Sequence, residues 1–290
     1  MLSKDYLVKG ITKNGAFRVT VVLTRHLTEE ARQKHNLSHT ATVALGRSFA
    51  CGILLCSTLK KIKGSLTFKI RGSGPLGVIL VEANTIGTVR GYVANPTVEC
   101  FDKNGYISVS QAVGKNGTIE VIYSTQKGFP YKGSTEIVTG EIADDVVNYL
   151  AVSEQINSFL SCGVYIDPKG NNISHAGGIL IQRMPEATEE DIELLEETVS
   201  KLDPFTILLR SNLSVEDIIK KAFKGFEVEI FSDYENICFN CDCSKERFKN
   251  ALSTLKKTEV QDIIEKVGYA EGKCHFCNAT YTLSKKELGF

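Results

Sequence analysis

The chain has 290 residues, with 34 basic and 34 acidic side chains, so its formal net charge at neutral pH is zero. A balanced chain lacks the basic surface that attracts nucleic acids or anionic membranes, and we expect neither as a partner. Hydrophobic residues make up 42% of the chain and charged residues 23%, as in an ordinary soluble globular protein. The length exceeds what one core usually serves, so two domains are expected.

The sequence carries no signal for secretion or for a membrane span. Residues 1–5 lead directly into a strand-like sequence without the apolar region of a signal peptide. The longest apolar stretch, residues 49–55, is far too short to cross a bilayer. Nine cysteines are too sparse for a secreted disulfide scaffold. We therefore expect a cytoplasmic protein in which the four scattered cysteines are inert core residues: Cys51, Cys56, Cys100 and Cys162.

The first part of the chain, residues 1–185, mixes strand and helix patterns. Residues 5–24 predict two strands joined by a turn at Asn14-Gly15. Ser38 can cap a helix that runs to about Leu59, and its small and apolar residues predict burial between layers. Further strands are expected over residues 66–70, 77–81, 89–93, 107–113, 118–123, 163–166 and 178–181, and a helix over residues 140–160.

Residues 72–77 match the G-x-G-x-x-G pattern of dinucleotide-binding loops. Such a site requires a helix N-terminus after the loop, because free amides there bind the pyrophosphate. The residues that follow, 78–81, have a strand sequence instead, and Pro75 has no amide hydrogen. We interpret the segment as a turn between two strands.

The next region, residues 186–233, is predicted to be a helical linker. Thr188 with Asp191, and Ser214 with Asp217, can form capping boxes at the starts of two helices. Each helix has an apolar face, but the region has little core of its own. Two interpretations stay open: a linker packed on the first domain, or a segment that docks in one state and frees its apolar faces in another.

The C-terminal region, residues 234–290, contains a C-x-C pair and a C-x-x-C pair. The four cysteines are Cys241, Cys243, Cys274 and Cys277. Two close pairs brought together by a fold make a tetrahedral thiolate site for zinc, although the same sulfurs could close as two disulfides. Cys238 also forms a C-x-x-C motif with Cys241, so it could replace Cys243 as a ligand.

This region is short and has little apolar material. Ser244 can cap one helix; Thr258 and Gln261 can form the capping box of a second helix that Gly268 ends. Zinc bound to thiolates contributes about 10–16 kcal/mol to the folding of small peptides, more than the ~5 kcal/mol expected from such a core. We expect the region to be folded with metal and unfolded without it.

The cysteine pattern and its surroundings resemble one family. Residues 241–247, Cys-Asp-Cys-Ser-Lys-Glu-Arg, followed by Cys-His-Phe-Cys at residues 274–277, resemble the thirty-three-kilodalton heat-shock proteins, which are redox-regulated holdase chaperones of bacteria. The likeness extends over the whole chain, through residues 72–77, Asn95-Pro96, residues 140–145, Ser153-Glu154-Gln155, Ala176-Gly177-Gly178, Gln182 and Pro185. Cys238, a fifth nearby cysteine, departs from the family pattern.

With the patterns above, the resemblance implies an α+β fold in three regions. These are a core chaperone domain of β-sheets packed on helices (1–185), a helical linker (186–233) and a redox-sensing zinc domain (234–290). It implies an ATP-independent holdase, not an enzyme, that binds unfolding client proteins under oxidative stress and is a homodimer when active.

The resemblance also implies roles for the four cysteines. In the reduced, inactive state Cys241, Cys243, Cys274 and Cys277 would bind one Zn²⁺ per chain. Oxidation would pair Cys241 with Cys243 and Cys274 with Cys277, so that zinc leaves and the domain unfolds.

Two other function classes compete with this one. A zinc-ribbon binding module without redox switching, for example on RNA, predicts salt-dependent nucleic-acid binding, which zero net charge disfavours. A thiol–disulfide enzyme using Cys274 and Cys277 would require a thioredoxin-like βαβ context, which the sequence around this motif lacks.

Overall fold

The computed structural model describes residues 4–59, 63–125, 128–211, 213–233 and 235–288. The chain forms two compact units, Met1–Phe239 and Asn240–Phe290. Their mixture of sheets and helices confirms the predicted α+β class. The division into regions 1–185, 186–233 and 234–290 stays a prediction, and Tyr234, its last boundary residue, lies outside the described residues.

The first unit contains the following elements. Its strands are β1 (Asp5–Thr12), β2 (Phe17–Leu23), β3 (Gly64–Arg71), β4 (Val78–Asn84), β5 (Thr88–Val93), β6 (Thr118–Thr125), β7 (Tyr131–Glu136), β8 (Ser158–Ile166), β9 (Ile173–Arg183), β10 (Val228–Ile230) and β11 (Glu235–Phe239). Its helices are α1 (Arg25–His35), α2 (His39–Cys56), α3 (Val109–Val113), α4 (Ala143–Ser153), α5 (Glu189–Ser200), α6 (Phe205–Arg210) and α7 (Val215–Ala222).

One sheet runs through the first unit in the order β7-β6-β3-β4-β5-β11-β1-β2-β9-β8, and β10 also pairs with β1. The predicted hairpin of β1 and β2 is confirmed, with Gly15 at a left-handed φ of 74° in its turn. Strand β11 pairs in parallel with β5 and antiparallel with β1. The strand immediately before the second unit therefore joins the two halves of this sheet.

Helix α2 lies at the centre of the larger hydrophobic core. Ser38 caps it as predicted, because its hydroxyl accepts a hydrogen bond from the amide of Ala41 at 3.1 Å. The helix packs on strands from both halves of the sheet, among them β4 and β8. Its 18 residues are long and apolar enough for a membrane span, but 89% of them are buried within the protein, as in a core helix.

A second core lies on the opposite face of β1, β2 and β9, against helices α5, α6 and α7, which we call the connector helices. The capping boxes predicted for α5 and α7 are both present. The connector side chains that are at most 2% exposed are Phe205, Leu208, Val215, Ile218, Ile219, Ala222 and Phe223. In this structure the apolar faces of the connector helices are therefore buried on the first unit.

Some sequence predictions for the first unit are wrong. Residues 107–113, predicted as a strand, include helix α3, because Ser108 caps a helical turn by accepting from the amide of Gln111. The helix predicted over 140–160 is shorter, since it begins after Ile142 and strand β8 begins at Ser158. Strand β7 and helix α6 lie where no element is predicted.

The glycine-rich loop, residues 72–77, connects β3 to β4, as predicted. Its backbone lies against α3: the amide of Gly74 donates to the carbonyl of Val113 at 2.8 Å. A Cβ atom at Gly72 would lie 1.9 Å from the Val113 carbonyl oxygen, so a larger residue does not fit. Close packing of two backbones therefore explains these glycines.

The second unit is built on a hairpin of β12 (Tyr269–Lys273) and β13 (Thr280–Ser284), with helices α8 (Lys245–Leu252), α9 (Lys257–Val267) and α10 (Lys285–Leu288). Its buried apolar side chains, among the described residues, are Val260, Ile264, Ala270 and Leu283. Helix α8 buries no residue at all. This unit therefore has a very small apolar core.

Helix α9 begins one residue before the predicted cap. Its N-cap is Lys256, whose extended backbone precedes the first helical residue, so Thr258 lies inside the helix and forms no capping box. Gly268 ends the helix in a left-handed conformation with φ of 85°, as predicted.

A buried carboxylate organises the turn before α4. Asp145 is 1% exposed and accepts hydrogen bonds from the amides of Val138 (2.8 Å), Thr139 (2.7 Å), Gly140 (2.9 Å) and Ile142 (3.2 Å). Ile142 is itself buried at a φ of 68°, which is unfavourable for a β-branched residue. The carboxylate of Asp145 therefore stabilises a strained turn and satisfies its amides.

We expect Asp145→Ala to lower the free energy of unfolding of the first unit by about 3 kcal/mol or more, because buried amides lose a charged acceptor. Chemical denaturation of the full chain measures this loss. Asp144→Ala is the matched control, since Asp144 is an exposed neighbour on the same helix. Equal effects of the two substitutions would contradict the assignment.

Candidate metal centre

Four cysteine sulfurs form one cluster in the second unit. The Sγ atoms of Cys241, Cys243, Cys274 and Cys277 all lie within 4.8 Å of one another. Two sulfur contacts join the two motifs: Cys243 to Cys277 at 3.2 Å, and Cys241 to Cys274 at 3.7 Å. All four residues are partly buried free thiols. The structure thus brings together the four cysteines that the sequence analysis selects.

The Cys241-x-Cys243 motif lies directly before α8. Ser244 caps this helix, as predicted, by accepting a hydrogen bond from the amide of Arg247 at 3.1 Å. The Arg247 guanidinium also contacts Asp242, the residue between the cysteines, at its carbonyl oxygen (3.1 Å) and its carboxylate (2.5 Å). The start of α8 therefore fixes the backbone between these two sulfurs.

The Cys274-x-x-Cys277 motif forms the turn of the β12–β13 hairpin. The amide of Cys274 donates to the carbonyl of Ala279 at 2.9 Å, and the amide of Asn278 donates to the carbonyl of Cys274 at 2.8 Å. Asn278 has a left-handed φ of 63°, which asparagine tolerates better than most residues. A closed turn of this kind holds both sulfurs of the motif close together.

Tyr281 on β13 supports the site from outside the motifs. Its hydroxyl lies 3.1 Å from the Cys243 sulfur and donates a hydrogen bond to the Cys243 carbonyl at 3.1 Å. Sequence reasoning missed this residue, because no motif links a tyrosine to the cysteine pairs. The only available signal was an aromatic donor on the strand that follows the second pair.

An ion pair joins the last helix of the second unit to the start of α8. The Lys245 ammonium contacts the Glu287 carboxylate at 2.7 Å. This contact, together with hydrogen bonds from Ser284, lowers the pKa of Glu287 to about 2. Glu287 therefore stays ionised under physiological conditions and holds α10 next to the helix that follows the C-x-C motif.

The chemistry of the site fits a thiophilic metal ion. Within the protein alone, burial raises the pKa of the Cys277 thiol to about 12, and the contact with Cys243 raises the pKa of Tyr281 to about 12. A bound cation reverses this preference, because a coordinating thiol is deprotonated. Four sulfur donors within tetrahedral reach are the set that zinc prefers in structural sites. The cluster can therefore hold a metal ion.

The other cysteines lie in the first unit. Cys238 is exposed on β11, where it pairs with Thr88. Among the described residues, the clustered set contains Cys243 and does not contain Cys238.

Comparison with known proteins shows the family to which this architecture belongs. A family model described as Hsp33 protein matches residues 5–284. The chain belongs to the Hsp33 family. The "33 kDa chaperonin" of Gloeobacter violaceus is 43% identical, over 98% of this chain and 94% of that relative. A relative of the same name from Synechocystis is 42% identical, over 98% of this chain and 94% of that relative.

The fold agrees with the same assignment. The crystal structure of the 33 kDa chaperonin from Thermotoga maritima superposes with a TM-score of 0.88 at 33% identity, covering 98% of this chain and 96% of that one. Hsp33 proteins are a family of chaperones and not of enzymes, so a chaperone function is established at the level of the family.

We expect Tyr281→Phe to weaken zinc binding roughly 10-fold, because it removes the hydrogen bond that orients the backbone of Cys243. Competition with a chromophoric chelator under reducing conditions measures the change. Tyr269→Phe is the control, since Tyr269 is 42% exposed on the neighbouring strand β12. If both variants bind zinc as tightly as the natural chain, Tyr281 does not support the site.

Proposed function

We propose that this chain is a redox-regulated, ATP-independent holdase that binds unfolding proteins under oxidative stress. The clustering of four sulfurs in a unit with so little apolar core is the observation that carries the proposal. Membership of a chaperone family supports the client-binding part. The redox-sensing part rests on the chemistry of the thiols.

Zinc would be held by Cys241, Cys243, Cys274 and Cys277, and it would supply about 10–16 kcal/mol toward folding of the second unit. The apolar side chains of that unit cannot replace this contribution. Burying a large apolar side chain stabilises by about 1.5–3 kcal/mol, and the described residues of the unit provide three such side chains: Val260, Ile264 and Leu283. The entropy of ordering its backbone opposes them at about 1–2 kcal/mol per residue.

Oxidation removes the ligands. A thiolate that reacts with peroxide or hypochlorite becomes a sulfenic acid, which condenses with a neighbouring thiol to a disulfide. We assign these disulfides within the motifs, Cys241 with Cys243 and Cys274 with Cys277, as the family pattern implies. A disulfide sulfur is not a thiolate ligand, so the oxidised unit loses its metal cross-link and unfolds.

The connector helices supply the apolar surface that would meet a client. Their buried side chains include Phe205, Ile218 and Phe223, each at most 1% exposed. The chain between them and the second unit is short: β10 and β11 pair with β1, and residue 240 follows directly. Unfolding of the second unit would remove the anchor of β11 on its C-terminal side and loosen the connector helices from the sheet.

Partners and location follow the same proposal. We expect unfolded or partly folded proteins as clients, a homodimer in the active state and a place in the cytoplasm. We expect no nucleic-acid or membrane partner, since the net charge is zero.

The test follows bound zinc, free thiols and chaperone activity in one sample before and after hydrogen peroxide. The reduced chain should bind about one zinc and leave a heat-denatured client to aggregate, whereas the oxidised chain should release the zinc and suppress aggregation. Cys238→Ser should behave like the natural chain, because Cys238 lies outside the cluster. Cys241→Ser should bind zinc at least 10-fold more weakly and protect the client without oxidant.

Equal protection by the reduced and oxidised chains would contradict redox control. If oxidation neither releases zinc nor changes the chaperone activity, a zinc-ribbon binding module without a switch would be favoured.

A further inference from the structure

A pair of thiols in the first unit lies in contact, and neither belongs to a cysteine motif of the sequence. The Sγ atoms of Cys51 and Cys162 are 3.8 Å apart, although the residues are 111 positions apart in the sequence. Cys51 lies in the middle of the core helix α2, and Cys162 lies on β8, the strand at one end of the sheet. From the sequence we expect both to be inert core residues, and the structure places their sulfurs in contact.

The packing around the pair brings the sulfurs together. Gly178 on β9 lies directly opposite Cys162 in the register of the two strands. A Cβ atom at Gly178 would lie 2.9 Å from the Cβ of Cys162 and 3.2 Å from a methyl group of Leu54 on α2. The absence of a side chain there lets Cys162 lie close to the helix.

The two thiols differ in acidity. As whole residues, Cys51 is buried and Cys162 is partly exposed. The contact between the two sulfurs lowers the pKa of Cys162 and raises the pKa of Cys51. Arg47 lies one turn earlier on α2, and its charge favours the thiolate form at both positions. Its buried Nε has no hydrogen-bond partner within the described part of the chain.

We propose that Cys51 and Cys162 are a second redox site, which peroxide converts into a disulfide that joins α2 to β8. The Cys162 thiol first loses its proton, and the thiolate attacks one peroxide oxygen, which yields a sulfenic acid on Cys162. The other oxygen leaves as hydroxide and takes up the proton that the thiol released, so that it departs as water. The sulfur of Cys51 then attacks the sulfenic sulfur, so that the S–S bond forms and a second water leaves. Two thiols are oxidised and one hydrogen peroxide is reduced.

The sulfurs need only a small movement for this reaction. They start at 3.8 Å, and a disulfide bond is about 2.05 Å long. A disulfide between residues 111 positions apart also constrains a long loop of the unfolded chain. The same oxidant would therefore stabilise the first unit while, under the proposed function, it unfolds the second. The two effects use different cysteines, so either can fail without the other.

Peptide mapping of the full-length chain tests the proposal. The reduced protein is treated with hydrogen peroxide, its remaining thiols are alkylated under denaturing conditions, and non-reducing tryptic digests of the monomer are analysed by mass spectrometry. We expect a peptide pair linked through Cys51 and Cys162 that separates on reduction. If both cysteines are alkylated as fully as before oxidation, while the second unit has formed disulfides, the proposal is wrong.

Variants separate the roles of the two thiols. In Cys51→Ser, a dimedone probe should label the sulfenic acid of Cys162 several-fold more than in the natural chain, whereas Cys162→Ser should leave Cys51 unlabelled. Cys100→Ser is the matched control, because Cys100 is also partly exposed but makes no sulfur contact within the described residues. It should keep the linked peptide pair. Labelling of Cys51 but not Cys162 would overturn the assigned order of reaction.

A thermal measurement tests the effect on the fold. The melting temperature of the first unit should rise by several degrees on oxidation of the natural chain and of Cys100→Ser, and it should not rise in Cys162→Ser. An equal shift in all three proteins would show that the disulfide does not stabilise the unit.

Discussion

The structure depends on one constraint: the second unit buries very little apolar surface among its described residues. Its described residues bury four apolar side chains, and α8 buries none. The remaining order comes from caps, a hairpin turn and ion pairs on its surface, which contribute little individually. The cluster of four sulfurs is therefore the natural candidate for the missing stabilisation, and a metal ion is the natural means.

The first unit has the opposite character. Its sheet is covered on one face by α2 and its neighbours and on the other by the connector helices. Among the described residues, the larger core contains none from the connector helices, whereas the connector helices bury their apolar faces against the sheet. For this reason we propose that the connector helices are released from the sheet while the larger core stays intact.

The structural features that the sequence predicts correctly are those set by residues close together in the chain. Ser38, Thr188, Ser214 and Ser244 all cap helices as predicted, because a side-chain acceptor next to a helical pattern acts within one turn of chain. The cap predicted at Thr258 is wrong because a favourable cap sequence lies within one turn of the true helix start.

Features that depend on the fold could not be predicted in this way. The apolar residues of helix α3 suit either a strand or a helix, and the glycine-rich loop that packs on it comes from elsewhere in the chain. The contact of Tyr281 with Cys243, and that of Cys51 with Cys162, join residues that are far apart in sequence. The four cysteines of the cluster were found because their spacing within each pair is itself local.

Hydrogen exchange on the full-length chain, under reducing conditions, tests the central claim most directly. The amides of residues 240–290 are followed with bound zinc and after removal of the metal by a chelator, so that no disulfide can form. The account predicts that these amides lose their protection when the metal is removed, while the strands and α2 of the first unit keep theirs. Unchanged protection of the second unit without metal would contradict it.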